Sequence, residues 1–224
     1  QRTRERARRR EAELEQQALR LQMDPHFLFN ALNTIPGLYA SADSRTATAY
    51  VGHLSNLLRL ILETSRKVQV PLRQELELLE HYLHVSASRH PDVFSYAIHV
   101  DPTIDADTVT IPPMLLQPLV ENAILHGLVP RKQGGMLEVD ISRVNGTLTS
   151  RVRDNGIGRA ASARANGTTL EGSRGIAITA ERMRQYNQGR TAQDGLRILD
   201  LHDDQGRPCG TEVVVRTVIN EAWS

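Results

Sequence analysis

The stretch "TLTSRVRDNGIG", Thr147 to Gly158, reads as a strand that ends on an acid and runs into a glycine-bearing turn. Asp154 stands where the strand stops, and Gly156 and Gly158 follow it. A carboxylate here can accept a hydrogen bond from an exocyclic amine, and two glycines let backbone approach a ring or a phosphate without a Cβ in the way. Those are the parts of a purine site. On its own a "DNG" sequence is more often only a turn, so the weight falls on what surrounds it.

Upstream, "MLEVDISRV" is a second strand, joined to the first by an "NG" turn, and "FSYAIHVD" a third. Before them "PPMLLQPLVENAILHGL" reads as a helix. Within it Glu121 and Asn122 lie one turn from His126, bringing together an amide oxygen able to ligate Mg²⁺ and an imidazole able to meet phosphate. Downstream, residues 156–172 are rich in Gly, Ala and Arg and read as a mobile loop. "EGSRGI" then leads into the helix "GIAITAERMRQYNQ", whose N-terminal amides suit phosphate, with Arg174 and Gly175 beside them. "LRILDLHD" and "TEVVVRTV" are strands, and Gly210 and Thr211 precede the last. Strands and helices mix without regular βαβ alternation. An α/β two-layer sandwich with helices on one face is expected.

The N-terminal part is different. Leu14, Ala18, Leu21, Pro25, Leu28, Leu32 and Ile35 step alternately by four and three, a heptad seam. A second stripe, Tyr50, Leu54, Leu57, Leu58, Ile61 and Leu62, follows the small-residue link "YASADSRTAT". Two antiparallel helices of this kind bury their stripes by dimerising into a four-helix bundle. The period breaks around "SRKVQVP", and Pro71 opens a further helix with Leu72, Leu76, Leu79 and Leu83 on one face. The domain boundary is placed near residues 66 to 71, giving a helical domain over 1–66 and a second over 70–220. The class expected is therefore α + α/β.

Bulk composition excludes several functions. The chain has 224 residues, 40% hydrophobic and 24% charged, with a net charge of +1, which argues against nucleic-acid binding through a global basic field. The lone Cys209 forms no internal disulfide, and no run reaches membrane-spanning length. "QRTRERARRR" carries six arginines in its first ten residues and opens on Gln1, as a segment cut from a longer protein would. Such a cluster fits the cytoplasmic flank of a membrane helix or, equally, a solvated basic tail. His81 and His84, spaced i, i+3 near Glu77 and Glu80, read as decoration of an exposed helix face rather than as metal ligands.

A helix with Asn, a strand with DNG, a glycine loop into a helix, and GT before a strand: this order resembles the ATP-binding domain shared by histidine kinases, gyrase, Hsp90-type chaperones and mismatch-repair ATPases. With "DPHFLFNALNTI", "LSNLLRLIL", "VPLRQELELLEHYL" and "IPPMLLQPLVENAILHG", the chain looks like the LytS/YehU-like family of bacterial sensor histidine kinases, from about Leu21 to Val215. The resemblance implies ATP and Mg²⁺ as cofactors, Asn122 as the Mg²⁺ ligand, Asp154 as the reader of adenine, and the segment around Gly172 to Gly175 as a lid. It makes His26 the acceptor of the γ-phosphoryl group. It also implies a homodimer, a response regulator as partner, an upstream membrane sensor domain, and a cytoplasmic setting for this part.

Within that resemblance several residues carry further expectations. His26 lies one residue off the seam, toward solvent, where a neutral imidazole is an available nucleophile. Asn30 shares its helix face and is placed to orient water for dephosphorylating the regulator. Phe27 stands where many such kinases have an acid, leaving Asp24 and Glu121 as alternative partners of the imidazole. Ser173 and Ile178 replace a glycine and an asparagine common in the family, which points to weaker ATP binding or to a dimeric scaffold without turnover. Pro25 removes a helical donor and predicts a bend beside His26.

Overall fold

The computed structural model describes residues 25–41, 44–65, 67–144, 146–166, 174–186 and 195–221. Its first elements are helices α1 (Pro25–Ser41) and α2 (Ser44–Thr64). On α2, Ala47, Tyr50, Leu54, Leu57 and Ile61 recur at helical spacing and are buried. Leu58 is half-buried and Leu62 exposed, so the inward stripe is narrower than the sequence suggests. On α1 the buried residues are Phe27 and Ala31, while Leu32 of the heptad seam and Phe29 are exposed within the single chain. Ring stacking sets this rotation. Phe27 lies 4.9 Å from Tyr82, nearly parallel to it, and Ala31 is small enough for Tyr50 to approach and donate its hydroxyl to the Ala31 carbonyl at 3.0 Å. The bend expected at Leu21 to Asp24 and the seam before Pro25 lie outside the described residues.

Helix α3 (Leu72–Arg89) starts directly after Pro71, where a ring with fixed φ and no N–H is tolerated. Leu72, Leu79 and Leu83 are buried as expected, joined by Leu78, Tyr82 and Val85, and Leu76 is half-buried. Glu75 is buried among them. Short strand β1 (Val70–Pro71) pairs with β3 (Val109–Ile111), and β3 with β8 (Asn220–Glu221), all antiparallel. Strands this short have no readable periodicity, and the sequence does not reveal this small sheet.

His81 and His84 are not decoration. Both are half-buried and meet His53 of α2: the two Nδ1 atoms of His53 and His81 are 2.8 Å apart, and the His53 and His84 rings stack at 3.7 Å. Burial first, and then the neighbouring His53, hold the His81 and His84 imidazoles below their ordinary pKa; Arg59 pushes His81 the same way, and Glu77 and Glu80 oppose it. A depressed imidazole pKa means the packed state prefers the neutral ring. Its contribution is therefore present above the ordinary value, about 6.5, and is lost as pH falls through and below it. The melting temperature should drop on acidification from pH 7.5 to 5.5, with His53→Gln flattening that dependence. An unchanged slope in the variant would detach the effect from this cluster.

The main sheet has five strands in the order β2-β4-β5-β7-β6: β2 (Phe94–Val100), β4 (Gly135–Val144), β5 (Thr147–Asp154), β6 (Leu196–His202) and β7 (Pro208–Val218). β2 runs parallel to β4, and the remaining pairs are antiparallel. Leu137, Val139, Ile141, Leu148, Val152, Val213 and Val215 alternate inward and join the core with the helices, whereas Arg151 and Arg153 face out. One covered face and one solvated face make the two-layer α/β sandwich. Between β3 and β4 the chain forms α4 (Gln117–Asn122), a π-helical turn over Ala123–Leu128, and α5 (Val129–Arg131).

The stretch read as a loop requires correction. Residues Arg159–Asn166 form helix α6, because alanine at 160, 161, 163 and 165 favours helix and needs little room. Arg159 anchors it to β6 through a two-pronged pair with Asp200, Nε and Nη2 each at 2.7 Å. The segment 167–173, with Ser173 and Gly172 of the expected lid, lies outside the described residues. Helix α7 (Arg174–Tyr186) follows it, where the sequence placed a helix.

Candidate functional site

Asp154 ends β5 on the inward face and is 4% exposed. Its carboxylate accepts the Gly156 N–H at Oδ1, 2.8 Å away, and the Thr211 N–H from the paired strand, where register sets Thr211 opposite Asp154. Burial raises its pKa, these two bonds lower it, and burial wins: the carboxyl is pushed up to about 6. At neutral pH it is an ionised acceptor in a poorly hydrated setting. Such a group gains from meeting a donor.

Three glycines make room for it. A Cβ on Gly127 would stand 2.7 Å from Asp154 Oδ1; one on Gly156 would stand 2.4 Å from the Gly127 carbonyl carbon; one on Gly210, at φ +144°, would meet the Asp154 carbonyl oxygen at 1.9 Å. The Ile157 N–H donates to the Gly127 carbonyl at 3.1 Å, tying the turn after Asp154 to the π-helical turn. Asn155 locks the turn from the other side: it accepts the Met136 N–H at 2.7 Å and donates to Gly134, while Arg131 donates to its carbonyl at 2.6 Å. Gly158, at φ +76°, begins the approach to α6 and accepts the Ser162 N–H at 3.1 Å. Asp154, Gly156, Gly158, Gly210 and Thr211 thus converge.

Asn122 ends α4 at the start of the π-helical turn, a local over-wide turn that shifts the helix face presented beyond it. Its amide nitrogen donates to the Pro118 carbonyl at 2.7 Å, one turn back along the helix. Glu121 accepts from Gln117 at 3.3 Å, and His126 is exposed on the π-helical turn one residue before Gly127. The donor set, an amide at Asn122 with the neighbouring Glu121 carboxylate, is of the oxygen-ligand kind that suits a hard divalent ion.

Arg174 and Gly175 open α7, and nothing is described of the side chains there or of Ile178. His26 is the second residue of α1, with its side chain likewise outside the description, and Asn30 is half-buried one turn on. Helix α1 packs on α2 and α3 through Phe27 and Ala31, so these two residues belong to a different region from the Asp154 turn. The sequence reading missed Gly127, Asn155 and Arg131. Gly127 stood inside a quoted motif, but only the fold shows which atoms its missing Cβ clears.

Comparison with known proteins adds the class. Residues 14–94 match the family model for histidine kinases. The chain therefore carries a histidine kinase family segment. Over 140 residues, 62% of its length, it is 39% identical to the sensor protein LytS of Oceanobacillus iheyensis, and over 144 residues, 64%, it is 33% identical to the sensor histidine kinase YpdA of Escherichia coli. Over that stretch it is similar to the LytS-type sensor histidine kinases. The chain spans about a quarter of the length of the curated relatives it matches, 23% and 25% for these two. Among solved structures, the histidine kinase domain of the blue-light activated kinase EL346 from Erythrobacter litoralis aligns over 92% of this chain and 94% of that one, at 17% identity and a TM-score of 0.49.

Proposed function

We propose that this chain is the kinase core of a two-component sensor, in which Mg·ATP held at the Asp154 turn phosphorylates His26. The observation that carries the reading is the buried Asp154 carboxylate at the end of β5, held by the Gly156 and Thr211 N–H groups in a turn packed so closely that Gly127, Gly156 and Gly210 leave no room for a Cβ. A carboxylate there accepts the exocyclic amine of adenine. Guanine offers a carbonyl oxygen at the corresponding position, an acceptor that the carboxylate would repel. Asn122 would hold Mg²⁺ through its amide oxygen, with His126, Arg174, Gly175, Gly210 and Thr211 around the phosphates. Bound Mg²⁺ would neutralise charge on the transferring group.

In the reaction an imidazole nitrogen of His26 attacks the γ-phosphorus in line with the bond to the β-phosphate oxygen. That P–O bond breaks, ADP leaves with the electron pair, and the ring's surplus proton passes to a base, for which Asp24 and Glu121 are the alternatives. The phosphoramidate then passes its phosphoryl group to an aspartate of a response regulator, and Asn30 orients water when the regulator is dephosphorylated. The functional unit is a homodimer bundled through α1 and α2, attached to an upstream membrane sensor and lying on the cytoplasmic side. Among the described residues no helix is long and apolar enough to cross a membrane.

Calorimetric titration with ATP and GTP tests the nucleotide assignment. ATP should bind, GTP should bind at least about tenfold more weakly, and Asp154→Asn should cost ATP about 1.5–3 kcal/mol, the worth of a hydrogen bond to a charged group. Acid should act likewise. As pH falls through about 6 the carboxylate is protonated, so the Asp154-dependent part of ATP affinity declines. Over the same interval, down toward 3.8, protonation of Asp154 by itself adds stability to the free protein and so opposes the loss at the histidine cluster, since a raised carboxyl pKa means the folded state binds the proton more tightly. Equal binding of ATP and GTP would remove Asp154 from the role of base reader.

A further inference from the structure

Met114 is the residue whose backbone is least expected. It is a bulky non-glycine residue at φ +52°, buried, and three positions before the helical run that carries Asn122. A left-handed conformation at such a residue is strained and persists only where its surroundings impose it. Here both its backbone polar groups are taken by charged side chains. The Met114 N–H donates to Glu75 Oε2 at 2.8 Å, and the Met114 carbonyl accepts from Arg182 Nη1 at 3.1 Å. Glu75 also accepts the Leu116 N–H at 2.9 Å, and Arg182 also donates to the Pro113 carbonyl at 2.9 Å.

Glu75 is 1% exposed and Arg182 half-buried, and each bears on the other's charge: Arg182 favours the ionised carboxyl against burial, and Glu75 favours the guanidinium. The pair joins elements far apart in sequence. Glu75 belongs to α3, which packs on the α1–α2 hairpin, and Arg182 to α7, which follows residues 167–173. Both end on one turn, Pro113 to Leu116. From that turn α4 begins, and Asn122 closes it.

We propose that Glu75 and Arg182 are a positioning pair: holding Met114 between them fixes the helical run bearing Asn122, and so sets the Mg²⁺-dependent part of nucleotide binding from α3 and α7 together. The inference rests on the reading of Asn122 as the Mg²⁺ ligand. Neither side chain touches nucleotide. Their effect passes through backbone, and it falls on metal-assisted affinity rather than on contacts to the base.

The test is ATP binding by calorimetry in Mg²⁺ and in EDTA, with melting curves for each protein. Wild type should bind ATP more tightly with Mg²⁺, and Asn122→Ala should erase that increment. Arg182→Gln should shrink the increment about tenfold while leaving affinity in EDTA within about twofold, and Arg182→Lys, which keeps a charged donor, should restore much of it. Glu75→Gln should act the same way, and the double variant should lose no more than either single one, as coupled groups do. If Arg182→Gln does not fold, the nearly isosteric Glu75→Gln reads the same increment. An intact increment in these variants, or equal losses with and without metal, overturns the proposal while Asn122→Ala still supports the metal reading. Absence of any increment in wild type overturns both.

Discussion

Replacing Gly210 by alanine should destabilise the protein by about 3–5 kcal/mol and abolish nucleotide binding, a loss in the exceptional range for one methyl group. The added Cβ would lie 1.9 Å from the Asp154 carbonyl oxygen, 2.9 Å from its carbon and 3.0 Å from the Asn155 Cα. All three are backbone atoms of the paired strand and its turn, so no side chain can swing aside. Relief requires β5 and β7 to part where the Thr211 N–H meets the Asp154 carboxylate. Gly206 supplies the control. Its φ is +74° and a Cβ there would meet nothing within 4 Å, so Gly206→Ala bears only backbone strain, about 1–2 kcal/mol. Urea unfolding of the two variants separates the terms. Equal midpoints would mean that the strands yield freely.

Tyr82→Ala should cost about 3–5 kcal/mol, the range for removing a buried aromatic ring. Tyr82 is 1% exposed and is the surface on which Phe27, next to His26 in sequence, is stacked. Arg89 also lies over the Phe27 ring, its guanidinium carbon 5.5 Å from the ring centre. Losing Tyr82 leaves Phe27 without its stacking partner and a cavity beneath α1. Amide exchange should therefore rise most across 25–41, while the β4–β5–β7 strands keep their protection. Tyr82→Phe retains the ring and should cost about 1 kcal/mol. Uniform exchange throughout the chain would show that α1 and the sheet unfold as one unit.

What the sequence made legible was whatever repeats or alternates. The strands of the main sheet are readable because inward and outward residues alternate on a sheet with one covered face, and α7 because its apolar period holds. Failures occurred where a side chain's partner is remote. Glu75 looks like one more charge on an acidic helix until the turn at Met114 is folded over it. His81 and His84 look solvated until α2 brings His53 against them. Helix α6 was hidden because alanines say little about packing, and its anchor, Asp200, lies 41 residues from Arg159. Of the site, Asp154, Gly156, Gly158, Gly210 and Thr211 were found by motif and converge in the fold. Gly127 needed the folded chain, since an absent Cβ has meaning only against the atoms it would strike.

The central claim is that phosphate from ATP bound at this turn ends on His26. Incubation of the protein with γ-labelled ATP and Mg²⁺, followed by acid and base treatment, addresses it directly. The expected result is label on the protein that is lost in acid, survives base, and is abolished by His26→Gln, with ATP binding in that variant unchanged. Label that persists in His26→Gln, or none on folded wild-type protein with ATP bound, would contradict it.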